Sequence, residues 1–132
     1  AAAWLSRGVP PEDFGPKISK DSLVECPIPP AKIEKNIILT HVFHIDKFGN
    51  LYTTAPLKLV YNIGAHIGDT LLVRSNDKTF KARFVKTFGD AKPGELIAKD
   101  DAYNRVEISV NLGSAAAKTS IEIGDKLLIS KL

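Results

Sequence analysis

Short runs of β-forming residues, each bounded by turn-forming residues, dominate the sequence from Ile37 onward. Gly, Asn, Asp and Pro separate these runs, a spacing that is typical of an all-β domain. Six such strands in one short stretch predict a small, closed or nearly closed antiparallel β-barrel, because closure leaves no unpaired strand edge. The predicted strands cover residues 37–46, 51–54, 70–74, 79–87, 105–110 and 126–130.

Two of the predicted strands begin with almost the same motif. IGDTLLV at residues 67–73 and IGDKLLI at residues 123–129 each place a Gly-Asp turn before an apolar strand. So short a sequence similarity indicates two equivalent corners of the barrel rather than a true repeat. The one helix predicted in this half of the chain covers residues 114–119, where Ser114 can cap a short Ala-rich turn.

Residues 1–35 differ in character from the rest of the chain. The helix formers of AAAWLSR precede Gly8, Val9 and two prolines, which is a common way for a helix to end. Prolines recur as far as Pro30, so the backbone there is predicted to be extended and to stay out of central strands. The chain also contains no methionine. We therefore expect residues 1–35 to be the end of a truncated N-terminal domain plus a linker, and residues 36–132 to be a C-terminal β-barrel domain.

Composition and charge limit the classes of protein to which the chain can belong. Hydrophobic residues make up 44% of the chain and charged residues 25%, values that disfavour disorder and coiled coil. A net charge of +3 permits an anionic partner without requiring one. No apolar run is long enough for a membrane helix, and the single Cys26 cannot form an internal disulfide, which fits a reducing compartment. We expect a soluble, cytoplasmic protein that does not contact a membrane.

The stretch HVFHIDKFGNLYTT, residues 41–54, brings together two imidazoles, a carboxylate, an amide and three aromatic rings. It is predicted to form a hairpin with a tight turn at residues 48–50, because Gly and Asn tolerate positive φ. Side chains at the ends of strands can converge on a ligand, so this hairpin could form part of a binding site. The alternative is a hairpin whose polar side chains bind nothing. Alternation along the strand puts His44 and Asp46 on one side and His41 on the other, so no metal site is predicted.

The segment KTFKARFVKTF, residues 78–88, alternates rings and cations. Phe80 and Phe84 alternate with Lys81 and Arg83, as in a strand that buries its rings and exposes its charges. A basic strand with stacking rings, as in barrels that bind single-stranded nucleic acid, would contain the same residue types. A period of two puts the rings and the cations on opposite faces, which favours the first interpretation. A non-catalytic barrel that binds RNA or single-stranded DNA stays the alternative function.

The segment RVEISVNLGSAAA, residues 105–117, contains a predicted strand that gives way to a turn at Asn111. A carboxamide in that position can accept a hydrogen bond from the exocyclic amine of adenine and donate one to a ring nitrogen. Glu107 could accept a second hydrogen bond from the same amine. The alternative is that Asn111 satisfies backbone groups of the turn and that Glu107 lies in solvent.

Four segments, HIDKFGNL, KTFGDAKPGEL, RVEISVNLGSAAA and IGDKLLI, occur in an order that resembles the C-terminal domain of the S-adenosyl-L-methionine hydrolase (adenosine-forming) family. That family is related to the S-adenosylmethionine-dependent fluorinases and chlorinases. The opening AAAWLSRGVPPEDFG is similar to the end of the family's N-terminal domain, so the resemblance covers nearly the whole chain. The Asp-x-Phe-Gly-Asn turn, combined with the segment around Glu107, carries most of its specificity.

The resemblance implies both a reaction and an assembly. It implies a homotrimer in which each active site lies between the N-terminal domain of one subunit and the C-terminal barrel of its neighbour. Water attacks the ribose C5′ of S-adenosyl-L-methionine there and displaces methionine, leaving adenosine, with neither cofactor nor metal. The residues that position the water in the family lie outside this sequence, so no catalytic residue is assigned here. The chain by itself is expected to be inactive.

The resemblance also implies which residues bind the substrate. Asp46 would hold the methionine ammonium, and Asn50 would lie against the ribose or the amino-acid portion. Phe48 and Tyr52 would form apolar or stacking walls, with Phe88 as a further contributor.

The adenine edge would be recognised by a third group of residues, Glu107, the Val110 backbone and Asn111. The sequence departs from the family in the loop before that strand, where Ala102 and Asn104 stand in place of the family's Ser and Gly. A hydroxyl that contacts substrate in the family is therefore missing, and Tyr103 is expected to fill its space.

Overall fold

The computed structural model describes residues 1–25 and 27–132, so the prediction made for Cys26 lies outside the described residues. The strands are β1 (Lys32–Glu34), β2 (Ile37–Ile45), β3 (Leu51–Pro56), β4 (Thr70–Ser75), β5 (Lys78–Phe84), β6 (Leu96–Asp100), β7 (Arg105–Val110) and β8 (Lys126–Lys131). The α-helices are short: α1 (Ala2–Leu5), α2 (Lys58–Asn62) and α3 (Ala115–Thr119).

Seven of these strands close into a barrel. The order around it is β2, β3, β7, β6, β5, β4 and β8, and β8 pairs back onto β2. β1 adds a short antiparallel pairing to β2. β5 and β6 run parallel, with Arg83 opposite Ile97, whereas the other described pairings are antiparallel. The structure therefore confirms the predicted small all-β barrel and adds one parallel pair to it.

The six predicted strands are all present, and two of them end earlier than predicted, the strand over residues 37–46 by one residue, at Ile45. The strand predicted over residues 79–87 ends at Phe84, because the chain turns before Phe88. Thr87 and Asp90 form a reciprocal capping box that starts a short 3-10 turn. Phe88 lies on this turn and packs against the buried side chains of Val85, Ala91 and Ile97.

Two strands and one helix of the structure have no counterpart in the prediction. β6 has no apolar alternation because Leu96, Ile97 and Ala98 are all buried, so a two-residue period could not identify it. β1 has only three residues, and α2 follows directly after β3 without a capping side chain. The predicted helix at residues 114–119 is confirmed as α3, with the Ser114 hydroxyl accepting from the backbone of Ala117 at 3.1 Å.

Alternate side chains of the strands fill the barrel interior. In β3 every second residue is buried, as expected for a strand with one face in a core. Phe84 is among the largest fully buried side chains, and burial of a Phe contributes roughly 1.5–3 kcal/mol to stability. Phe80 packs against the same core while Lys81 is exposed, so the rings of β5 serve the interior.

The two Gly-Asp corners have the same local geometry. Gly68 and Gly124 adopt φ values of 99° and 93°, in the region that favours glycine. The carboxylates of Asp69 and Asp125 each accept from the backbone nitrogen three residues earlier, at 2.9 Å in both corners. Each glycine N–H also donates to a carbonyl of the adjacent strand, at 2.7 and 2.8 Å. These contacts place both corners at equivalent positions of the barrel.

The described part of the segment before the barrel contains 3-10 turns at Pro11–Phe14 and Lys20–Ser22. Residues 2–5 are helical, as the composition of the opening predicts, and the side chains of Trp4 and Val24 are exposed. The division into residues 1–35 and 36–132 stays a prediction. In the described part of the chain, no helix has the length and apolar character needed to cross a membrane.

Candidate active site

A cavity of about 610 Å³ lies between the β2–β3 turn, strands β6 and β7, and the loop after β7. Its walls combine aromatic rings with charged and amide side chains. The lining residues are Asp46, Phe48, Asn50, Tyr52, Phe88, Lys99, Glu107, Val110, Leu112 and Gly113. A cavity of this size and composition is suited to a small molecule with both apolar and polar parts.

Seven of the nine residues predicted to bind substrate line this cavity. They come from three separate stretches of sequence that the barrel brings together. Tyr103 and Asn111 are not among the lining residues. The assignment of these nine residues to substrate contacts stays a prediction, and the structure reports only where each one lies.

Asp46 is the best-connected polar group of the cavity. One carboxylate oxygen accepts from the backbone nitrogens of Phe48 and Asn50, at 2.9 and 3.0 Å. The other accepts from the Asn50 amide at 2.9 Å and from the Tyr52 hydroxyl at 3.3 Å. The sequence Asp-x-Phe-Gly-Asn produces this arrangement locally, because an aspartate readily hydrogen-bonds the backbone two residues further along.

These hydrogen bonds keep Asp46 ionised. Partial burial opposes the charged form, but the hydrogen bonds from Asn50, Phe48 and Tyr52 outweigh it and hold the pKa of Asp46 below its ordinary value. Burial, followed by the nearby charges of Glu107 and Asp46, raises the pKa of Tyr52 to about 12. At neutral pH the cavity therefore contains a carboxylate at Asp46 and a neutral phenol at Tyr52.

Gly49 fixes the turn against α3. Its φ is 82°, its carbonyl accepts from the backbone nitrogen of Ala116 at 3.0 Å, and a Cβ at this position would overlap the Ser114 hydroxyl. The same hydroxyl caps α3. The close approach therefore requires glycine, and it ties the position of Asp46 to the loop and helix that follow β7.

Gly49→Ala is expected to lower the free energy of unfolding by about 2–4 kcal/mol, because left-handed strain adds to overlap with Ser114. Gly64 provides a matched control: its φ is 78°, and an added Cβ there meets nothing within 4 Å. Gly64→Ala should lose only the strain, about 1–2 kcal/mol. Urea unfolding of both variants measures the difference. Equal losses would mean that the contact with Ser114 contributes nothing to stability.

A buried ion pair forms another wall of the cavity. The Lys99 ammonium lies 3.1 Å from a carboxylate oxygen of Glu107, with side-chain exposures of 14% and 4%. The Ser109 hydroxyl donates to the other oxygen of Glu107. The Lys99 ammonium also lies 5.1 Å from the centroid of the Phe88 ring, within range of a cation–π contact. Glu107 is therefore held inside the protein rather than in solvent.

Asp101 forms a second turn with the same geometry as that of Asp46. One of its oxygens accepts from the backbone nitrogens two and four residues later, Tyr103 at 2.8 Å and Arg105 at 3.0 Å. Its other oxygen pairs with the Arg105 guanidinium at 3.2 Å. The two carboxylates thus differ in their remaining partners, which are neutral donors for Asp46 and a cation for Asp101.

Tyr103 lies on this second turn, is 76% exposed and lines a different cavity with Arg105. Asn104 adopts a φ of 59° that Asn tolerates better than most residues. Asn111 donates from its carboxamide to the Ala91 carbonyl at 2.7 Å. That contact is the backbone role expected of Asn111 in a turn, and it leaves one amide proton and the carbonyl oxygen for other partners.

The histidines are peripheral to the cavity. His44 is exposed, with its ring 5.4 Å from that of Tyr52. Residues 1–25 and 27–132 contain no group of three or more His, Cys, Asp or Glu side chains placed to hold a metal ion. The charge in the cavity therefore comes from the side chains of Asp46, Glu107 and Lys99.

Sequence reasoning missed three lining residues: Lys99, Leu112 and Gly113. Lys99 lies on β6, the strand that showed no alternation. The sequence offered one indication of its role, a single lysine directly after a short apolar run. A lysine beside such a run is buried only when it is paired with an opposite charge. Leu112 has a φ of 54° and is 86% exposed, and neither property is visible in the sequence.

The chain is similar in sequence to known enzymes. Residues 40–128 match the family described as the SAM hydroxide adenosyltransferase C-terminal domain. The (R)-S-adenosyl-L-methionine hydrolase of Salinispora tropica is 33% identical over 129 residues, which cover 98% of this chain and 46% of that protein. The (R)-S-adenosyl-L-methionine hydrolase of Thermus thermophilus is 30% identical over 127 residues, which cover 94% and 43%.

Solved structures show the same fold. An uncharacterized conserved protein from Thermotoga maritima matches with a TM-score of 0.84 at 33% identity, covering 98% of this chain and 48% of that one. A conserved hypothetical protein from Thermus thermophilus matches with a TM-score of 0.64 at 28% identity, covering 99% and 48%. The chain thus spans less than half the length of these relatives. It belongs to the SAM hydroxide adenosyltransferase C-terminal domain family.

Proposed function

We propose that this chain is the substrate-binding, C-terminal part of an enzyme that hydrolyses S-adenosyl-L-methionine to adenosine and L-methionine. The names of the Salinispora and Thermus relatives support the reaction. The observation that carries the proposal is the Asp46 carboxylate, which lines the cavity and has only neutral hydrogen-bond donors among its described partners. An ionised carboxylate in such surroundings is suited to a cationic ligand group.

The charge balance of the cavity supports the same substrate. Its lining contains the two carboxylates of Asp46 and Glu107 and the one ammonium of Lys99, which leaves one net negative charge. S-adenosyl-L-methionine carries a sulfonium, an ammonium and a carboxylate, and is therefore a net cation. Adenosine and zwitterionic methionine are both neutral. Electrostatic complementarity thus favours binding of the substrate over retention of the products.

The partners of each part of the substrate follow from this arrangement. In the proposed complex the Asp46 carboxylate binds the methionine ammonium, and Asn50 lies beside the ribose. The rings of Phe48, Tyr52 and Phe88 supply the apolar contact that a nucleoside needs, and base stacking on a ring contributes about 1–3 kcal/mol. This set of contacts fixes the substrate at both ends.

The proposed chemistry is a displacement at a saturated carbon. The oxygen of water forms a bond to the ribose C5′ while the bond from C5′ to sulfur breaks, and its electron pair neutralises the sulfonium. The attacking water releases one proton to solvent. Because the sulfonium is already an activated leaving group, the protein needs chiefly to position water in line with it, and no cofactor is part of the proposal.

The open side of the cavity supports a composite site. Phe48 is 64% exposed and Leu112 is 86% exposed, and both line the cavity. Contact with the N-terminal domain of a neighbouring subunit in a homotrimer would cover these apolar groups and exclude bulk water from the reacting atoms. The residues that position the attacking water would then come from that domain.

The experiment that tests the proposal uses the natural protein that contains this sequence. It is incubated with S-adenosyl-L-methionine in water enriched in oxygen-18, and the products are identified by mass spectrometry. We expect equal amounts of adenosine and methionine, with the heavy oxygen in adenosine. Formation of 5′-methylthioadenosine alone, at the rate seen without enzyme, would contradict the proposal. A halogenated nucleoside formed in preference to adenosine would show that a halide replaces water as the nucleophile.

A further inference from the structure

Lys99 has a well-defined set of partners at the edge of the cavity. Its ammonium donates to Glu107 at 3.1 Å and to the Asp100 carbonyl at 2.5 Å, and it lies 5.1 Å from the centroid of the Phe88 ring. Two of the three ammonium protons therefore have acceptors within the protein, and the Phe88 ring lies within range of a cation–π contact. These contacts fix the position of the Lys99 ammonium beside Glu107.

Glu107 depends on this cation. The residue is 3% exposed, and burying a charge so deeply is costly unless the charge is paired and hydrogen-bonded. Lys99 supplies the opposite charge at one oxygen, and the buried hydroxyl of Ser109 donates to the other. Each oxygen still has a lone pair that can accept a further hydrogen bond. Glu107 thus presents acceptors, and no donor, to whatever fills the cavity.

We infer that Lys99 is a positioning residue that makes the cavity select a 6-aminopurine over a 6-oxopurine, by holding the Glu107 carboxylate in place as a hydrogen-bond acceptor. This inference rests on the proposed function, because it takes the ligand to be a purine nucleoside whose base lies beside Glu107. A carboxylate accepts from the exocyclic amine of a 6-aminopurine. It repels the carbonyl oxygen that a 6-oxopurine has at the same position, and such a mismatch leaves two acceptors facing each other.

The test compares adenosine with inosine, which differ at this position of the base. Affinities are measured by calorimetry for the natural protein and for its Lys99→Met and Lys99→Arg variants. The natural protein should prefer adenosine by about 10- to 100-fold. Lys99→Met removes the cation that holds one oxygen of the buried Glu107, so the carboxyl group is no longer fixed as an acceptor beside the base. The preference should fall about tenfold in Lys99→Met and return in Lys99→Arg.

Lys131 provides the matched control, because it forms an ion pair with Asp69 at 2.8 Å that includes none of the cavity-lining residues. Lys131→Met should leave the preference unchanged. An unchanged preference in a folded Lys99→Met variant would overturn the inference. Should that variant fail to fold, Glu107→Gln provides a second test, because an amide can pair with either base. A preference for adenosine over inosine that stays unchanged in Glu107→Gln would also overturn the inference.

The outcomes separate this inference from the proposed function. A natural protein that binds neither S-adenosyl-L-methionine nor adenosine would contradict both. Binding of both ligands, with a preference for adenosine over inosine that does not depend on Lys99, would contradict the inference and leave the proposed function intact. A preference for adenosine that is lost in Lys99→Met and restored in Lys99→Arg would support the positioning role. Loss of packing alone would not change the ratio of the affinities for two ligands of nearly identical shape.

Discussion

Asp46→Asn is expected to weaken the binding of S-adenosyl-L-methionine by about 10- to 100-fold and to leave the affinity for adenosine within a factor of about three. The reason is that the substitution removes the charge that holds the methionine ammonium, a group that adenosine lacks. The side chain keeps its size and keeps one oxygen for the backbone nitrogens of Phe48 and Asn50. Calorimetric titration of the natural protein and the variant measures both affinities.

A third ligand identifies the group that Asp46 recognises. S-adenosyl-L-homocysteine keeps the ammonium but has a neutral sulfur, so an ammonium contact predicts equal losses for it and for S-adenosyl-L-methionine. A larger loss for S-adenosyl-L-methionine would mean that Asp46 interacts with the sulfonium. Asp125→Asn is the matched control, because Asp125 accepts from a backbone nitrogen at 2.9 Å in a corner that does not line the cavity. Equal losses for all three ligands would contradict the assignment of Asp46.

The pH dependence of binding has a defined sign. The carboxylate form of Asp46 binds the cation, so affinity is present above its pKa and is lost as the pH falls through it. Because hydrogen bonds from Asn50, Phe48 and Tyr52 outweigh burial and hold that pKa below its ordinary value, affinity should stay constant from neutral pH to below the range in which an ordinary aspartate titrates. Asp46→Asn should remove this acid limb of the titration while weakening binding at every pH above it.

The sequence was sufficient to predict the parts of the site that local chemistry determines. The turn after β2 needs only Asp46, Gly49 and Asn50 in their order along the chain, and the alternation of β2 and β3 is strong. β6 was not predicted because it is buried on both faces, and with it the partner of Glu107 was missed. No local pattern could show that Lys99 faces Glu107, since β6 and β7 pair only once the barrel is formed.

The position of Tyr103 shows a different limit of sequence reasoning. It was assigned to the site because Ala102 stands in place of a serine in the resemblance, and the Tyr103 side chain was expected to fill the space of the missing hydroxyl. The structure puts it on the Asp101 turn, beside Arg105 and outside the cavity around Asp46. The direction of a side chain on such a turn depends on positive φ values, here 71° at Ala102, which the residue type does not reveal.

The two aspartate turns predict a difference in stability as well as in function. Asp101→Ala is expected to lower the free energy of unfolding by about 3–5 kcal/mol. Its carboxylate is fully buried, so the substitution leaves the backbone nitrogens of Tyr103 and Arg105 without their partner and the Arg105 guanidinium without its counter-charge. Asp46→Ala should lose only about 1 kcal/mol, because water can reach the half-buried turn and replace the lost acceptor.

Urea unfolding at neutral pH measures both losses, and Asp101→Asn serves as the intermediate case because it keeps an acceptor for the backbone but not the charge. Equal losses for Asp46→Ala and Asp101→Ala would mean that the two turns contribute alike to stability, and that Asp46 is a second structural cap. The expected inequality has a physical cause. Arg105 compensates the charge of Asp101 inside the protein, whereas the charge of Asp46 faces a cavity and is left for a ligand to compensate.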